Sequence, residues 1–388
     1  MTTEDSPVVT KRLVFYLSGF DPRGAAFYHR LYQEESALQA KLLQANIKVG
    51  SRRRQGNLLN QWTVKADWSN PKPAQTNTDY FFLNWDDIVR QYWEPNLLKL
   101  AWISVPSYLR YMRCGAFSNI QKNHRGPFFS AVYPVLILFL LVLASALLGL
   151  LVASFIAQPI LAGFAGLALA AVTLHYGAKL ANQWGVFWLL RTYLFVFRMG
   201  LDNSAMMQDR LNDFVKIIKQ TQQQDPADEI LLVGHSVGTI MAVHLAAMYA
   251  EQHPDLAAKI KLITLGQCIP LLSGMPQASL FNQHLNQLQN KPVNAWVDYL
   301  ARADSLAFCD EQRLLKSELK SELNPELNPE PRQPSIRVVR FFNMFEPKRY
   351  EQIKKNKLRL HFQYLMATEK LGDYDYFSIT AGALPLQQ

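Results

Sequence analysis

A chain of 388 residues with 49% apolar content can bury one large core and carry an added module, which excludes a disordered protein. Its three cysteines, Cys114, Cys268 and Cys309, have neither paired nor metal-ligand spacing, which argues against a disulfide framework and a zinc site and for a reducing compartment. Eight of the cations behind the net charge of +9 lie between Pro95 and Leu201, where no Asp or Glu occurs, so anionic lipid is the expected counter-charge and nucleic acid is not.

Residues 1–7 hold two acids and no apolar run, so they do not read as a signal peptide. A buried strand is expected at 12–17, then a punctuated turn at 18–24 and a helix over 25–44. Residues 47–53 and 62–68 alternate like paired strands around a basic turn at Arg52, Arg53 and Arg54. A polar loop is expected over 70–79 and a further strand over 80–83. Beyond Tyr92, the aromatics Trp93, Trp102, Tyr108, Tyr111 and Phe117 interleave with single Lys and Arg, the pattern of helices at a membrane interface. A buried aromatic face is the competing reading.

Between 127 and 178 no charged residue occurs apart from His175. Spans over about 128–152 and 156–176 are each long enough to cross a hydrocarbon core of roughly 30 Å. The uncharged link Ala157-Gln158-Pro159 makes them a tight hairpin. Arg110, Arg113, Lys122 and Arg125 precede it and Lys179, Arg191 and Arg198 follow it, which holds both ends in the cytoplasm. The interfacial pattern returns over 184–199.

An amphipathic helix over 202–224 leads to the apolar run Ile230-Leu231-Leu232-Val233, then Gly234-His235-Ser236-Val237-Gly238, then an Ala-rich helix. Strand, sharp turn and helix in this order form a nucleophile elbow with Ser236 at its tip. The two glycines let strand and helix pass closely, and His235 shapes the turn. A turn whose Ser only caps the helix is the bland alternative. Further strands at 259–266, 294–301 and 336–342, with a helix over 277–289, give βα units on a mostly parallel sheet. Residues 316–334 are low-complexity and read as a flexible insertion without a catalytic role. A basic helix is expected over 348–359.

A serine needs a base to take its proton, and where a nucleophile elbow carries the serine the acid and the His follow it in chain order. Asp304 stands just past the strand ending near Ala301; Asp298, inside the strand, is the runner-up and Asp310 comes third. His361 is the one histidine after the acid, whereas His244, His253 and His284 come too early. The N–H groups of Phe20 and Val237 are the candidate oxyanion donors. A plain β-α turn at Phe20 is the competing reading.

Leu17-Ser18-Gly19-Phe20-Asp21-Pro22-Arg23-Gly24, Gly234 to Gly238 and His361-Phe362-Gln363-Tyr364-Leu365 resemble the α/β-hydrolase superfamily, and within it bacterial membrane-associated members of unassigned substrate. The resemblance covers about 12–90 and 202–388. It implies an α/β-hydrolase domain built from 1–92 and 201–388, interrupted by a membrane insertion over 93–200. It further implies a cofactor-free and metal-free serine esterase, lipase or thioesterase of the bacterial inner membrane, its hydrolase domain cytoplasmic, with a lipidic acyl substrate. Ser236, His361 and Asp304 would be its triad. The first loop lacks the His-Gly start of many lipases. An acyltransferase using the same triad and a catalytically silent membrane scaffold are the alternatives.

Overall fold

The computed structural model describes residues 8–69, 73–123, 125–202, 205–290, 293–308 and 334–386. Asp310, Cys309, residues 1–7 and all of the low-complexity stretch except Pro334 lie outside the described residues. In chain order the elements are β1 (Lys11–Leu17), α1 (Gly24–Leu43), β2 (Ala45–Val49), β3 (Arg53–Gln55), β4 (Leu59–Trp68), β5 (Ala74–Leu83) and α2 (Asp86–Tyr92). Five helices follow: α3 (Leu97–Arg113), α4 (Ala116–Asn123), α5 (Arg125–Ser154), α6 (Pro159–Gln183) and α7 (Val186–Asp202). The chain then runs α8 (Ala205–Gln224), β6 (Glu229–His235), α9 (Gly238–Gln252), α10 (Pro254–Ala257), β7 (Ile260–Leu265), α11 (Ile269–Ser273), α12 (Ser279–Asn290), β8 (Ala295–Leu300) and β9 (Ser335–Val338). Short helices Pro347–Lys355, Lys357–His361 and Tyr376–Ala381 complete the described chain.

Among the described residues nine strands form one sheet in the order β2-β4-β5-β1-β6-β7-β8-β9, with β3 beside β4. Pairing is parallel from β5 to β9 and antiparallel from β2 to β5, so this is an α/β fold on a mostly parallel mixed sheet. Both faces of the sheet are covered, which explains the continuous apolar runs of its central strands. Leu13, Phe15, Leu17, Ile230 and Leu232 enter one core, and Val14, Tyr16, Leu231 and Val233 enter the other.

Residues 74–79 are not a polar loop; they are the first half of β5. Buried Thr76 and Thr78 turn their hydroxyls inward, donating to Val9 O and Thr380 O at 2.9 Å each, so polar residues occupy positions that periodicity expects to be apolar. The basic helix expected over 348–359 is broken into two at Asn356, whose side chain accepts from the Arg359 N–H and caps the second piece.

The insertion shares its core with the sheet. Phe187, Leu190, Tyr193, Leu194, Phe195 and Phe197 of α7 are buried with β1 and β6 residues, as are Tyr108, Tyr111 and Phe117. Only Trp102 and Trp184 of the aromatic series point outward, so α7 is a buried helix rather than an interfacial one. The first turns of α5 pack on this core through Ala131 and Tyr133, and along the rest of α5 and α6 the exposed surface is apolar. Pro159 opens α6, three residues later than expected, with the Gln158 side chain capping it. The two helices touch through glycines: a Cβ on Gly149 would lie 2.7 Å from Gly166 O, and the reverse holds.

Candidate active site

Ser236 follows the last residue of β6 with φ 56°, a left-handed backbone that costs a non-glycine residue about 1–2 kcal/mol. Three hydrogen bonds hold it there. The Ser236 N–H donates to Leu265 O at the end of β7 (3.0 Å), and Thr239 donates its N–H (3.0 Å) and its hydroxyl (2.6 Å) to Ser236 O. Thr239 Oγ1 in turn accepts the Cys268 N–H at 3.2 Å. A Cβ at Gly238 would lie 2.3 Å from Leu17 O, one at Gly234 2.6 Å from Gly238 O, and one at Gly19 2.9 Å from Ser236 Cβ. Glycine at these places lets β6, α9 and the loop after β1 converge on one hydroxyl.

His361 ends the helix Lys357–His361, and its Nδ1 lies 2.7 Å from Asp304 Oδ2. A carboxylate can only accept there, which assigns the proton to Nδ1 and leaves the Nε2 lone pair free. The other carboxylate oxygen, Oδ1, accepts the Leu306 N–H at 3.0 Å. Both side chains are shut away from water, at 5% and 0% exposure. Ser236 and His361 line the same cavity. In this structure the Ser236 hydroxyl contacts Cys268 Sγ at 3.9 Å. Burial pushes the Cys268 thiol up to about 12, which keeps it protonated beside the serine.

Asp298 lies inside β8, where it accepts from Thr264 Oγ1 at 2.7 Å, and burial pushes its carboxyl up to about 7. The structure therefore brings Asp304, not Asp298, to His361. His244 and His284 pair with each other at 2.8 Å between α9 and α12, and His253 ends α9. His235 donates Nε2–H to the backbone oxygen of His361 at 3.0 Å, and burial lowers it to about 3, so it stays neutral. It orients the backbone that carries His361. Phe20 lines the cavity and Val237 precedes α9; among the described residues neither N–H is spent on a backbone hydrogen bond of a turn or loop.

The cavity is walled by Leu271, Leu306, Leu358 and Phe362 and by Trp188, Leu189, Thr192 and Tyr193 of α7. About 30 Å³ is open inside, room for a water or two. The insertion also braces the segments that carry the candidate residues. Phe20 stacks on Phe195 at 4.6 Å, Ser130 of α5 donates to Ser305 O at 2.7 Å, and Leu358 fills the space that Gly185 leaves. Lys357 sits over the Tyr133 ring at 4.7 Å.

Arg23 links the same parts. Its guanidinium binds Asp21 (Nε to both oxygens at 2.9 Å) and lies over the rings of Phe27 at 3.7 Å, Phe362 at 5.0 Å and Trp188 at 5.3 Å. Tyr28 donates a further hydrogen bond to buried Asp21 at 3.0 Å. Sequence reasoning missed this clamp, Thr239 and the roof formed by α7. The proximity of Asp21 and Arg23 in an otherwise apolar turn was the available signal.

Residues 197–288 match the family model of class 3 lipases. The match runs from the end of α7 through α12 and includes the elbow with Ser236. It stops before Asp304 and His361. No curated protein and no solved structure matches the chain. Over the matched segment the chain is lipase-like, and the mostly parallel sheet fits the α/β architecture of such hydrolases.

Proposed function

We propose that the protein is a membrane-anchored serine hydrolase that cleaves a lipidic acyl ester or thioester through an acyl-enzyme. The carrying observation is one apolar-walled cavity that receives Ser236 from a left-handed elbow and His361 already bound to Asp304. Ser236 Oγ attacks the acyl carbonyl while His361 Nε2 takes its proton, and Asp304 balances the imidazolium that forms. The Phe20 and Val237 N–H groups hold the oxyanion. His361 then returns the proton to the leaving oxygen or sulfur, and a water activated the same way releases the acid. Because the open space fits only water, an acyl chain enters when α7 and its aromatic side chains shift outward.

A fluorophosphonate probe, which forms a covalent bond with an activated serine, should label the wild-type protein and not Ser236→Ala. Absence of label on folded wild-type protein would turn the reading to a silent scaffold. Incubation of labelled ester with water and a competing alcohol separates hydrolysis from acyl transfer by product.

The membrane part of the proposal rests on α5 and α6. Their most apolar windows have mean hydropathy 3.1 and 1.6, and only 11% of each is buried, unlike the core helix of a soluble domain. The Gly149–Gly166 contact is the close backbone approach that helices use to pair in lipid. The pairing of β1 and β6 in one sheet supports two spans that leave both ends on one side, and the flanking cations support the cytoplasm as that side. A cysteine at Ala157→Cys, in the hairpin turn, should be labelled by an impermeant reagent in intact cells, and one at Lys48→Cys should be protected. The opposite pattern inverts the orientation. Release of the protein by alkaline extraction would remove the spans altogether.

A further inference from the structure

We infer that a groove between α3 and α7, separate from the catalytic cavity, holds the phosphate of an anionic membrane lipid; this rests on the membrane reading above. The groove has a volume of about 430 Å³ and is lined by Arg110, Tyr111 and Arg113 of α3, Phe197 and Leu201 of α7, and Gln277. Its walls are of two kinds. Tyr111 stacked on Phe197 at 3.8 Å makes an apolar floor with Leu201, and Arg110, Arg113 and the Gln277 amide supply donors at the rim.

Among the described residues the two arginines have no carboxylate partner. No Asp or Glu occurs from Pro95 to Leu201, and among the described residues neither arginine takes part in an ion pair. Guanidinium forks bind phosphate oxygens in pairs, and a fixed phosphate would neutralise two cations held three residues apart on one helix.

The helix itself says from which side the anion comes. Leu98, Trp102, Val105, Leu109 and Met112 recur at spacings of four and three and form one exposed stripe, with Trp102 at 82% and Leu98 at 75% exposure. Leu100, Ser104, Tyr108 and Tyr111 form the face buried against the protein. At about 100° per residue, Arg113 and Arg110 lie on the flank between these two faces. A helix with that order of faces, beside two spans, sinks its stripe among acyl chains and holds its basic flank at the level of the headgroups. The groove therefore meets lipid phosphates directly, and its apolar floor accepts the first methylenes below them.

The test uses the full chain purified in a zwitterionic detergent, with the thermal midpoint read by intrinsic fluorescence. Phosphatidylglycerol added to the micelles should raise the midpoint by a few degrees, and phosphatidylcholine should not. Arg110→Gln with Arg113→Gln should abolish the rise, Arg110→Lys with Arg113→Lys should weaken it by removing the forks, and Lys122→Gln should leave it intact. An unchanged rise in the double Gln variant overturns the site. An equal loss in Lys122→Gln overturns it in favour of diffuse charge. An equal rise from inorganic phosphate overturns the lipid as its source. Alkaline extraction of the double Gln variant separates the two proposals: it stays in the membrane if only the groove is wrong, and wild type is released as well if the membrane reading fails.

Discussion

Ser236→Ala and His361→Ala should each lower kcat on a short acyl ester by about 10³-fold or more, because the two side chains act as one unit and loss of either disables it. Both variants should express and fold. Ser236 makes no hydrogen bond through Oγ that the core needs, and alanine keeps the backbone contacts of the elbow, although it inherits the left-handed strain. His361→Ala leaves buried Asp304 with its bond from the Leu306 N–H but without its imidazole, so a lower thermal midpoint should accompany the lost turnover. Near wild-type turnover in His361→Ala would rule it out as the base. Equal residual rates in the single and double variants are the expected sign that both belong to one proton path.

Asp304→Asn should cost about 10⁴-fold in kcat while Asp298→Asn leaves turnover close to wild type. An amide at 304 can present its NH₂ to Nδ1, which forces the proton onto Nε2 and blocks uptake from Ser236. Asp298 touches Thr264 rather than His361, and its replacement by Asn keeps an acceptor for that hydroxyl. The Asp298→Asn substitution should instead remove a pH dependence from the stability. Burial raises the carboxyl from its ordinary 3.8 to about 7, so the fold favours the protonated form. The favourable contribution is complete below the unfolded pKa near 3.8 and is lost as pH rises through about 7. An amide does not ionise, so the thermal midpoint of Asp298→Asn should gain on wild type between pH 5 and pH 8. A constant gap across that range would mean that Asp298 is ionised in the fold, and a larger activity loss in Asp298→Asn than in Asp304→Asn would move the acid to the strand.

The elbow is legible in the sequence because its spacing is forced by backbone contacts: no side chain fits where Gly238 meets Leu17 O or where Gly234 meets Gly238 O. His361 and Asp304 are legible through chain order, since one histidine follows the acid and one loop aspartate follows the strand. Other parts are not, for identifiable reasons. The first half of β5 hides behind Thr76 and Thr78, which satisfy inward hydroxyls with backbone oxygens instead of apolar contact. The role of α7 hides because aromatics with scattered arginines suit both a membrane surface and a buried roof. Only the packing of Tyr193, Phe195 and Phe197 against the sheet decides. Arg23 hides because, beside the neighbouring Phe27, the rings that receive it, Trp188 and Phe362, come from two remote segments.

The place of β1 in the sheet has a consequence for how the chain is made. β1 pairs with β5 on one side, which emerges soon after it, and with β6 on the other, which begins at Glu229. At about 5–20 residues per second, a ribosome delivers that second partner some 10–40 s after Leu17. Through that interval the nascent half-sheet keeps one apolar edge open, the kind of edge that recruits neighbouring chains into aggregates. The hairpin is synthesised within the same interval, so under the proposed membrane reading a chain held at the membrane by α5 and α6 would wait there tethered and diluted in two dimensions, not loose among other unfinished chains. Under the membrane reading proposed above, translation order would make the anchor a holding device for its own unfinished sheet, and mistimed membrane capture should appear as loss of soluble and membrane-bound protein alike to inclusion bodies.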